Sequence, residues 1–388
     1  MSKKRPNDQL LSPREGPGVS QGPGPLKGLG AQSNRPSRYL QHVSEVVDDG
    51  WSTDPAAKQP PVRVQLLPDR SKTLLTVNQS PDIPFDRSIN PYKGCEHGCI
   101  YCFARPTHAW LDLSPGLDFE RKIFYKTNVE AHLRTLFARP NYQCAPIAMG
   151  TNTDPYQPVE KQQQVTRRIL QTLLAHRHPV TIVTKGQGVL RDLDLLTALA
   201  ELNLVKVMVS VTTLSLALKT RLEPRTASPN KRLAIMAALA EARVPVGAMI
   251  APVIPFINDA ELEAMVTACY ERGARELNYI LLRLPLEVAP LFEEWLDAHY
   301  PLKAARVMSV IHQSRGGKAY DARWGLRMRG EGPFADLLAA RFARALRSHG
   351  LAGAKVPPLR TDLFRSHTQD PRPARRSNRE PQQDLFSD

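Results

Sequence analysis

The sequence has few cysteines and no long apolar run, and each absence excludes a class of protein. Five cysteines among 388 residues, three of them clustered, do not make a disulfide framework, and they fit a reducing cytoplasm. No apolar stretch follows the basic N-terminus, and none elsewhere has the length of a membrane span. We therefore expect a cytoplasmic protein with neither a signal peptide nor a transmembrane helix.

Acidic residues are also in short supply. The chain has 38 Asp and Glu against 52 Lys and Arg, which gives a net charge of +14. An excess of positive charge favours a polyanionic partner such as nucleic acid, although it concerns association and not the fold. Charge alone therefore indicates a class of partner and no site.

Cysteine spacing is the most informative feature that is present. Cys95, Cys99 and Cys102 form a C-x3-C-x2-C triplet. Three thiolates at this spacing can bind three irons of a cubane iron–sulfur cluster, whereas a cluster that only carries electrons normally takes four cysteines. One iron is then left without a protein ligand, and an open metal position is where substrates bind and react. The triplet indicates an enzyme that uses its cluster for chemistry.

A structural zinc site is the alternative for the same residues. Three cysteines together with His97 or His108 could hold one zinc ion in a nucleic-acid-binding module without catalysis. Such sites more often contain two C-x2-C pairs, or one pair with a distant histidine pair, and the sequence contains neither. The spacing therefore favours the cluster.

The triplet, with Tyr101 just before its third cysteine, resembles the signature of the radical S-adenosylmethionine (SAM) superfamily. The resemblance implies that Cys95, Cys99 and Cys102 bind a [4Fe-4S] cluster and that the methionine part of SAM chelates the open iron. An electron from the reduced cluster then splits SAM into methionine and a 5′-deoxyadenosyl radical, which abstracts hydrogen from a substrate. An electron donor such as flavodoxin or ferredoxin is implied as a partner.

Composition divides the chain into four parts. Residues 1–60 are rich in Pro, Gly, Ser and Gln and are predicted to be disordered. Residues 61–285 carry strand and helix patterns, whereas residues 286–350 carry helix patterns alone. We interpret these two parts as a core domain and a C-terminal helical extension, and we expect residues 351–388 to form a flexible tail.

The core domain shows the pattern of an α/β fold. Val62–Val77 alternates apolar and polar residues around a turn at Pro68–Ser71, which predicts a β-hairpin. From about residue 85, strand and helix patterns alternate six times, and the strands are continuous apolar runs, typical of parallel strands buried on both faces. Six such units predict a partial (β/α)6 TIM-like barrel, which the radical SAM resemblance also implies.

Ligands of a parallel α/β barrel bind at the carboxyl ends of its strands. Polar residues at those ends are therefore candidates to contact SAM, unless they only cap turns, as Ser and Thr often do. The segment Leu222–Ser228 resembles the one that follows the fourth strand in spore photoproduct lyase and its relatives, radical SAM enzymes of which some repair DNA. By that likeness Thr151, Lys185 and Ser210 would contact SAM. The tract Arg315–Gly330 resembles a functionally uncharacterised bacterial branch of the same group.

Two positions depart from the lyase pattern. In the lyase, a cysteine at the end of the second strand and a tyrosine just after the third cluster cysteine return hydrogen to the product. The best-matching positions here are Gly150 and Phe103, while Cys144 precedes its strand and should lie at the other end of the barrel. Reversal of a thymine dimer by the lyase's route is therefore not expected, and the sequence assigns no catalytic residue.

A basic region follows the predicted barrel. Residues 303–347 contain ten Lys and Arg but only three Asp and Glu, with Tyr320, Trp324 and Phe334 among them. Cations for phosphates combined with aromatic rings for bases are typical of a nucleic-acid-binding surface. The alternative is a solvated basic helix face. We expect nucleic acid to contact this region mainly through the loop Arg315–Gly330.

The last feature, Gln382–Phe386, resembles the short peptide by which bacterial repair and replication proteins dock on the sliding clamp. A flexible tail that ends in two apolar anchors suits such docking. Part of the motif also occurs upstream, as Asp362–Phe364, so chance recurrence in a biased tail is the alternative.

Overall fold

Residues 28–39, 64–71, 73–353 and 356–367 are described by the structure, a computed structural model. The strands, in chain order, are β1 (Gln65–Asp69), β2 (Thr76–Val77), β3 (Arg87–Ile89), β4 (Tyr92–Lys93), β5 (Lys122–Lys126), β6 (Ile147–Met149), β7 (Val180–Thr184), β8 (Val205–Val211), β9 (Val246–Val253) and β10 (Glu276–Leu281). The α-helices are α1 (Leu117–Arg121), α2 (Val129–Phe137), α3 (Glu160–Gln163), α4 (Val165–Ala175), α5 (Leu193–Glu201), α6 (Leu216–Leu222), α7 (Pro229–Glu241), α8 (Leu262–Glu271), α9 (Val288–His299), α10 (Pro301–Gln313), α11 (Leu326–Arg329) and α12 (Pro333–Ser348).

Six parallel strands form the main sheet in the order β10-β9-β8-β7-β6-β3, and β2 joins β3 antiparallel at one edge. The apolar character of the strands explains their position, since six of the seven residues of β8 are buried. β10 and β2 stand at opposite ends of the strand order, so the described strands form an open barrel. The predicted partial (β/α)6 barrel is confirmed.

Helix α7 begins at a residue that suits a helix start. Ser228 precedes α7, and its Oγ accepts a hydrogen bond from the Lys231 N–H at 3.3 Å, which caps the helix. The C-terminal extension is helical as predicted, with α10 packed against α9 and α12 against α8. Within the described ranges, every helix falls short of the length and apolar character that a membrane crossing requires.

A second, smaller sheet has the order β1-β5-β4, with β1 parallel to β5 and β4 antiparallel to it. The predicted β-hairpin over Val62–Val77 is therefore wrong, because β1 pairs with β5 whereas β2 pairs with β3. The polar residues taken for a turn anchor β1 instead. Asp69 accepts a hydrogen bond from the Ser71 N–H at 3.0 Å and binds the Lys93 Nζ at 2.8 Å.

Residues 28–39, here called the N-terminal strap, lie within the region predicted to be disordered, and the structure places them against the core. The strap contacts α9 through polar side chains. Ser33 Oγ donates to Glu294 at 2.8 Å, and Arg38 pairs with Glu287 at 2.7 Å. Composition did not reveal these contacts because their acceptors lie on a helix more than half the chain away.

Residues 356–367, which lie within the predicted flexible tail, also pack on the core. Phe364 joins Phe137, Tyr142 and His178 in a cluster, here called the aromatic nest, with its ring centroid 5.4–5.5 Å from each of the others. The Arg365 N–H donates to the His176 carbonyl at 2.9 Å. The upstream copy of the clamp-like motif is thus engaged within the fold, whereas Gln382–Phe386 lies outside the described residues.

Candidate active site

The three clustered cysteines lie on a loop, Gly94–Cys102, that directly follows β4 and is here called the cysteine loop. Gly98 has a φ of +66°, and a Cβ there would lie 2.6 Å from the Glu120 carboxylate. Only glycine fits this position without a shift of its surroundings. The Cys95 N–H donates to the Phe119 carbonyl at 2.9 Å, which ties the loop to the end of α1.

Two of the three cysteine thiols are shielded from water, and the third is partly buried. Cys95 and Cys99 are buried. Burial raises the pKa of the Cys99 thiol to about 12, and the charge of Glu223 raises it further. Burial also raises the pKa of Cys95, as do the charges of Asp154 and Cys99. Because thiolates are the form that binds metal, these thiols need a positively charged centre among them.

An iron–sulfur cluster fits this arrangement. Cys95 and Cys99 each interact electrostatically with Cys102, as thiols on one short loop do. Within the described ranges, no three His, Cys, Asp or Glu side chains converge on a position that could hold a single metal ion. A cluster does not need that convergence, since its cysteines bind different irons.

Glu223, a fully buried carboxylate, joins the cysteine loop to the end of β8. It accepts hydrogen bonds from the hydroxyls of Tyr101 and Thr212 and from the guanidinium of Arg232. Burial alone would raise the pKa of Glu223, but the charges of Arg232 and Lys185 outweigh it and hold the pKa at about 2. Glu223 is therefore ionised, and it fixes the ring of Tyr101 beside the cysteines.

Glu120, a second fully buried carboxylate, joins the cysteine loop to the N-terminal strap. It accepts hydrogen bonds from the N–H groups of Gly30 and Ala31 at 3.1 and 2.9 Å. Arg105 binds it at 2.6 Å and Arg225 at 3.2 Å. Four donors satisfy one buried charge, which is the condition for keeping such a charge inside a protein.

The predicted SAM-contacting residues lie at the ends of β6, β7 and β8, but only two of them have neighbours in common. Lys185 lies with its Nζ 6.0 Å from the Tyr101 ring centroid and interacts electrostatically with Cys99. Ser210 is buried, and its carbonyl accepts a hydrogen bond from Arg232 at 3.0 Å. Thr151 instead faces Asn90, with 3.4 Å between Oγ1 and Oδ1. Lys185 and Ser210 therefore share the surroundings of Glu223, whereas Thr151 stands apart from them.

The two departures from the lyase pattern have structural causes. Gly150 has a φ of +87°, and a Cβ there would lie 2.0 Å from the Val183 carbonyl oxygen, so no side chain fits. Cys144 precedes β6 and is half-buried at the amino end of the strand, as expected. Phe103 is 39% exposed next to the third cysteine and carries no hydroxyl. Among these positions, no side chain can take the part of the lyase's hydrogen-relay cysteine.

The predicted basic region is neutralised in part: among the described residues, three of its ten cations pair with carboxylates and a fourth binds backbone carbonyls. Arg315 is buried and donates to the carbonyls of Leu281 and Leu282 at 2.8 and 2.9 Å, so it holds the loop onto β10. Arg327 pairs with Asp82 at 2.5 Å. Other cations pair with carboxylates as well: Arg323 with Asp321 and Glu331, and Arg341 with Glu263. The region as a whole is therefore a weaker site for phosphates than its composition indicates.

One arginine that sequence reasoning missed stands beside the cysteine loop. Arg283 follows β10, and its guanidinium carbon lies 4.0 Å from the centre of the Phe103 ring. None of the described carboxylates forms an ion pair with it, although Asp82 acts on its charge from a greater distance, and burial lowers its pKa. Cys102 interacts with it electrostatically. Its position just after the last strand could have marked Arg283 as a candidate site residue. The sequence could not show that no described carboxylate forms an ion pair with it.

Comparison with known proteins supports the architecture and the cysteine signature. A family model described as the radical SAM superfamily matches residues 89–269. Uncharacterized proteins of Mycobacterium tuberculosis and Mycobacterium bovis are each 37% identical over 233 residues, covering 60% of this chain and 68% of theirs. An uncharacterized protein of Methanocaldococcus jannaschii is 26% identical over 239 residues, covering 62% of this chain and 85% of its own.

Solved structures of spore photoproduct lyase share the fold. One mutant of that enzyme has a TM-score of 0.54 and 17% identity, covering 74% of this chain and 79% of its own. Another, with bound AdoMet and dinucleoside spore photoproduct, has a TM-score of 0.53 and 16% identity, covering 73% and 78%. The family implies a [4Fe-4S] cluster and SAM as cofactors. The chain belongs to the radical SAM superfamily and is an enzyme of that type.

Proposed function

We propose that this radical SAM enzyme acts on nucleic acid, in the repair or modification of DNA, with Cys95, Cys99 and Cys102 as the cluster ligands. When bound, the cluster supplies the electron that cleaves SAM reductively to a 5′-deoxyadenosyl radical. Family membership excludes the alternative of a zinc-stabilised binding module without catalysis. The class of substrate is argued from the residues around the cysteine loop.

The observation that carries the proposal is the pair formed by Arg283 and Phe103. A guanidinium without a carboxylate partner, stacked on a partly exposed ring beside a cluster cysteine, presents a cation and an aromatic face at one place. Phosphate binds the first and a nucleobase stacks on the second. Trp324, which is 62% exposed on the predicted nucleic-acid loop, offers a second ring.

SAM binding is proposed to use the residues at the strand ends. Lys185 can bind the SAM carboxylate, because its ammonium group interacts with Cys99. Ser210 and Thr151 offer hydroxyls at the ends of neighbouring strands. The structures of spore photoproduct lyase with AdoMet and dinucleoside spore photoproduct support this division, since that enzyme binds SAM and a nucleoside ligand on the same fold.

The direct test measures 5′-deoxyadenosine in anaerobic, cluster-loaded protein with a strong reductant. Single-stranded DNA, double-stranded DNA, RNA and a cell extract are compared as stimulators. We expect DNA to stimulate product formation and to bind with an affinity that falls steeply as salt rises. Binding that is absent, or indifferent to salt, would point to a small-molecule or protein substrate instead.

Two arginine variants test the observation itself. Arg283→Gln should weaken binding of single-stranded DNA about tenfold, the value of one charge-assisted hydrogen bond, and should reduce the salt dependence by about one phosphate contact. Arg272→Gln is the matched control, because Arg272 is exposed and follows α8 at the opposite end of the barrel. Equal losses in both variants would contradict a specific role for Arg283.

Two further predictions stand with this proposal. A cytoplasmic location follows from the cysteine content. Docking on the sliding clamp through Gln382–Phe386 is proposed as the route to DNA, and it is tested by deletion of residues 381–388. If that deletion leaves clamp affinity unchanged, the motif is a chance recurrence.

A further inference from the structure

A cavity of about 410 Å³ lies against the cysteine loop. His97, which stands between the first two cysteines, lines it together with residues that follow β7 and precede α7. Thr151, Lys185 and Ser210 do not line it. The cavity therefore borders the strand end that carries Lys185, through Gly186 and Gln187, but does not include the three residues proposed to bind SAM.

The cavity wall carries positive charge and, among the described residues, no carboxylate. Lys219, Arg225 and Lys231 all line it. Lys231 is exposed, and Lys219 donates to the Pro224 carbonyl at 3.0 Å and not to an acid. Arg225 pairs with Glu120, and the charge of Glu223 acts on the buried Lys219, which leaves Lys231 as the exposed cation of the wall. Such a surface attracts a negatively charged partner over several ångströms.

The cationic wall connects to the cysteines through a short chain of contacts. The Arg225 N–H donates to the His97 carbonyl at 3.3 Å, and the Ile100 N–H donates to the Leu222 carbonyl at 3.1 Å. Lys219 and Cys99 interact electrostatically. A molecule bound at this wall would therefore have the backbone of the cysteine loop between itself and the cysteine thiols.

The charge could attract a nucleic acid or an acidic protein, and the lining residues favour the protein. Tyr156, the one phenol ring among the described lining residues, is only 4% exposed, so no ring is free to stack on a base. The exposed rings Phe103 and Trp324 do not line this cavity. The features expected of a strand-binding surface are therefore absent from the described part of this wall.

We propose that this cationic wall is the docking surface for the electron donor, an acidic one-electron carrier protein. The donor would give up one electron and be oxidised, and Cys95, Cys99 and Cys102 would hold the cluster that takes up that electron. No bond of the chain forms or breaks in the step. Lys231 attracts and orients the donor, supported by the positive charge of Lys219 and Arg225 behind it. This inference is independent of whether the substrate is nucleic acid.

The test compares two reductants on cluster-loaded protein. Flavodoxin in its hydroquinone form is the acidic protein probe, and photoreduced 5-deazariboflavin is an uncharged small probe. Bleaching of cluster absorbance is followed in a stopped-flow instrument, without SAM or substrate. Lys231→Glu should lower the second-order rate with flavodoxin about tenfold at low salt, because steering by charge is lost. The difference should shrink at high salt, where charges are screened.

Controls separate docking from damage to the fold or the cluster. Lys231→Glu should leave the deazariboflavin rate and the iron content unchanged, because the side chain of Lys231 is exposed. Arg272→Glu makes the same charge change at the far end of the barrel and should leave the flavodoxin rate unchanged. A flavodoxin rate that is equal in wild type and Lys231→Glu overturns the proposal, as does an equal loss with both reductants. DNA binding measured on the same variants reports on the proposed substrate separately.

Discussion

The two ends of the barrel are held together by different interactions. At the carboxyl ends of the strands, Glu120 and Glu223 are buried charges, each bound to an arginine and to further hydrogen-bond donors around the cysteine loop. At the amino ends, the aromatic nest packs uncharged rings, among them His178, which stacks on Phe137 with 4.7 Å between ring centroids. Charge dominates around the cysteine loop, and ring packing dominates at the opposite end of the barrel.

The two kinds of interaction have different effects: buried ion pairs fix the orientation of side chains, and aromatic packing contributes to the free energy of unfolding. Buried ion pairs add little net stability, because desolvation offsets their attraction, but they hold side chains in one arrangement. Aromatic packing stabilises the fold without specifying chemistry. Changes at the cysteine-loop end should therefore alter cofactor binding most, and changes in the aromatic nest should alter the free energy of unfolding alone.

The largest effect is expected for Cys99→Ala. Reconstituted wild-type protein should bind about four irons, as cubane ligation requires, and the variant should lose both the iron and the formation of 5′-deoxyadenosine. Iron analysis and product assay check this. Cys269→Ala is the control, since Cys269 is buried in α8 away from the loop. Retention of iron or product by Cys99→Ala would refute the ligand assignment.

Glu120→Gln should loosen both the cysteine loop and the N-terminal strap. Removal of one partner leaves the buried Arg105 charge uncompensated, which costs about 3–5 kcal/mol. Limited proteolysis should cut within residues 28–39 sooner than in wild type, and iron loading should fall. Glu293→Gln, an exposed change on α9, is the control. A strap as protected as in wild type would show that Glu120 does not hold it.

Phe364→Ala tests the other end of the barrel. Loss of a half-buried ring should lower the free energy of unfolding by about 2–3 kcal/mol, as measured in urea. Iron content and deoxyadenosine formation should stay unchanged. If cofactor loading falls together with stability, the two ends are coupled and the comparison between them fails.

The smallest effect is a pH dependence from the aromatic nest. Burial lowers the pKa of His178 to about 4, whereas an unfolded histidine titrates near 6.5. The unfolded state therefore takes up a proton first as pH falls, so stability is full above about pH 6.5 and declines toward pH 4. One such group contributes a slope of about 1.4 kcal/mol per pH unit.

His178→Phe is the matched variant for that slope. It keeps a ring in the aromatic nest but removes the titrating group. Urea unfolding between pH 4 and 6.5 should show a shallower decline in the variant than in wild type. His108, whose pKa burial also lowers to about 4, should account for part of the slope that remains. Equal slopes would show that His178 is protonated in the fold.

The barrel was predictable because its signals are local. Runs such as Val205–Val211, the Ser228–Pro229 helix start and the spacing of the cysteines each depend on neighbouring residues. Pairing partners were not predictable, and β1 was assigned to β2 although it pairs with β5. Alternation identifies a strand and the face it buries, but not which strand lies next to it.

The charged surroundings of the site were beyond prediction for a related reason. Composition indicated a basic loop over Arg315–Gly330, yet Arg315 and Arg327 are occupied within the fold. Arg283, which lies outside that loop, stands without a carboxylate partner among the described residues. Whether a cation is available depends on its neighbours in space, which a count of charges along the chain does not contain.

The strap has a practical consequence for anyone who shortens this protein for expression. A chain that begins at residue 61, which the composition of the first sixty residues invites, would keep every cysteine and every barrel strand. It would nevertheless leave Glu120 with two of its four donors, since Gly30 and Ala31 would be gone. Poor iron loading in such a protein would report the missing strap and not a wrong choice of ligands.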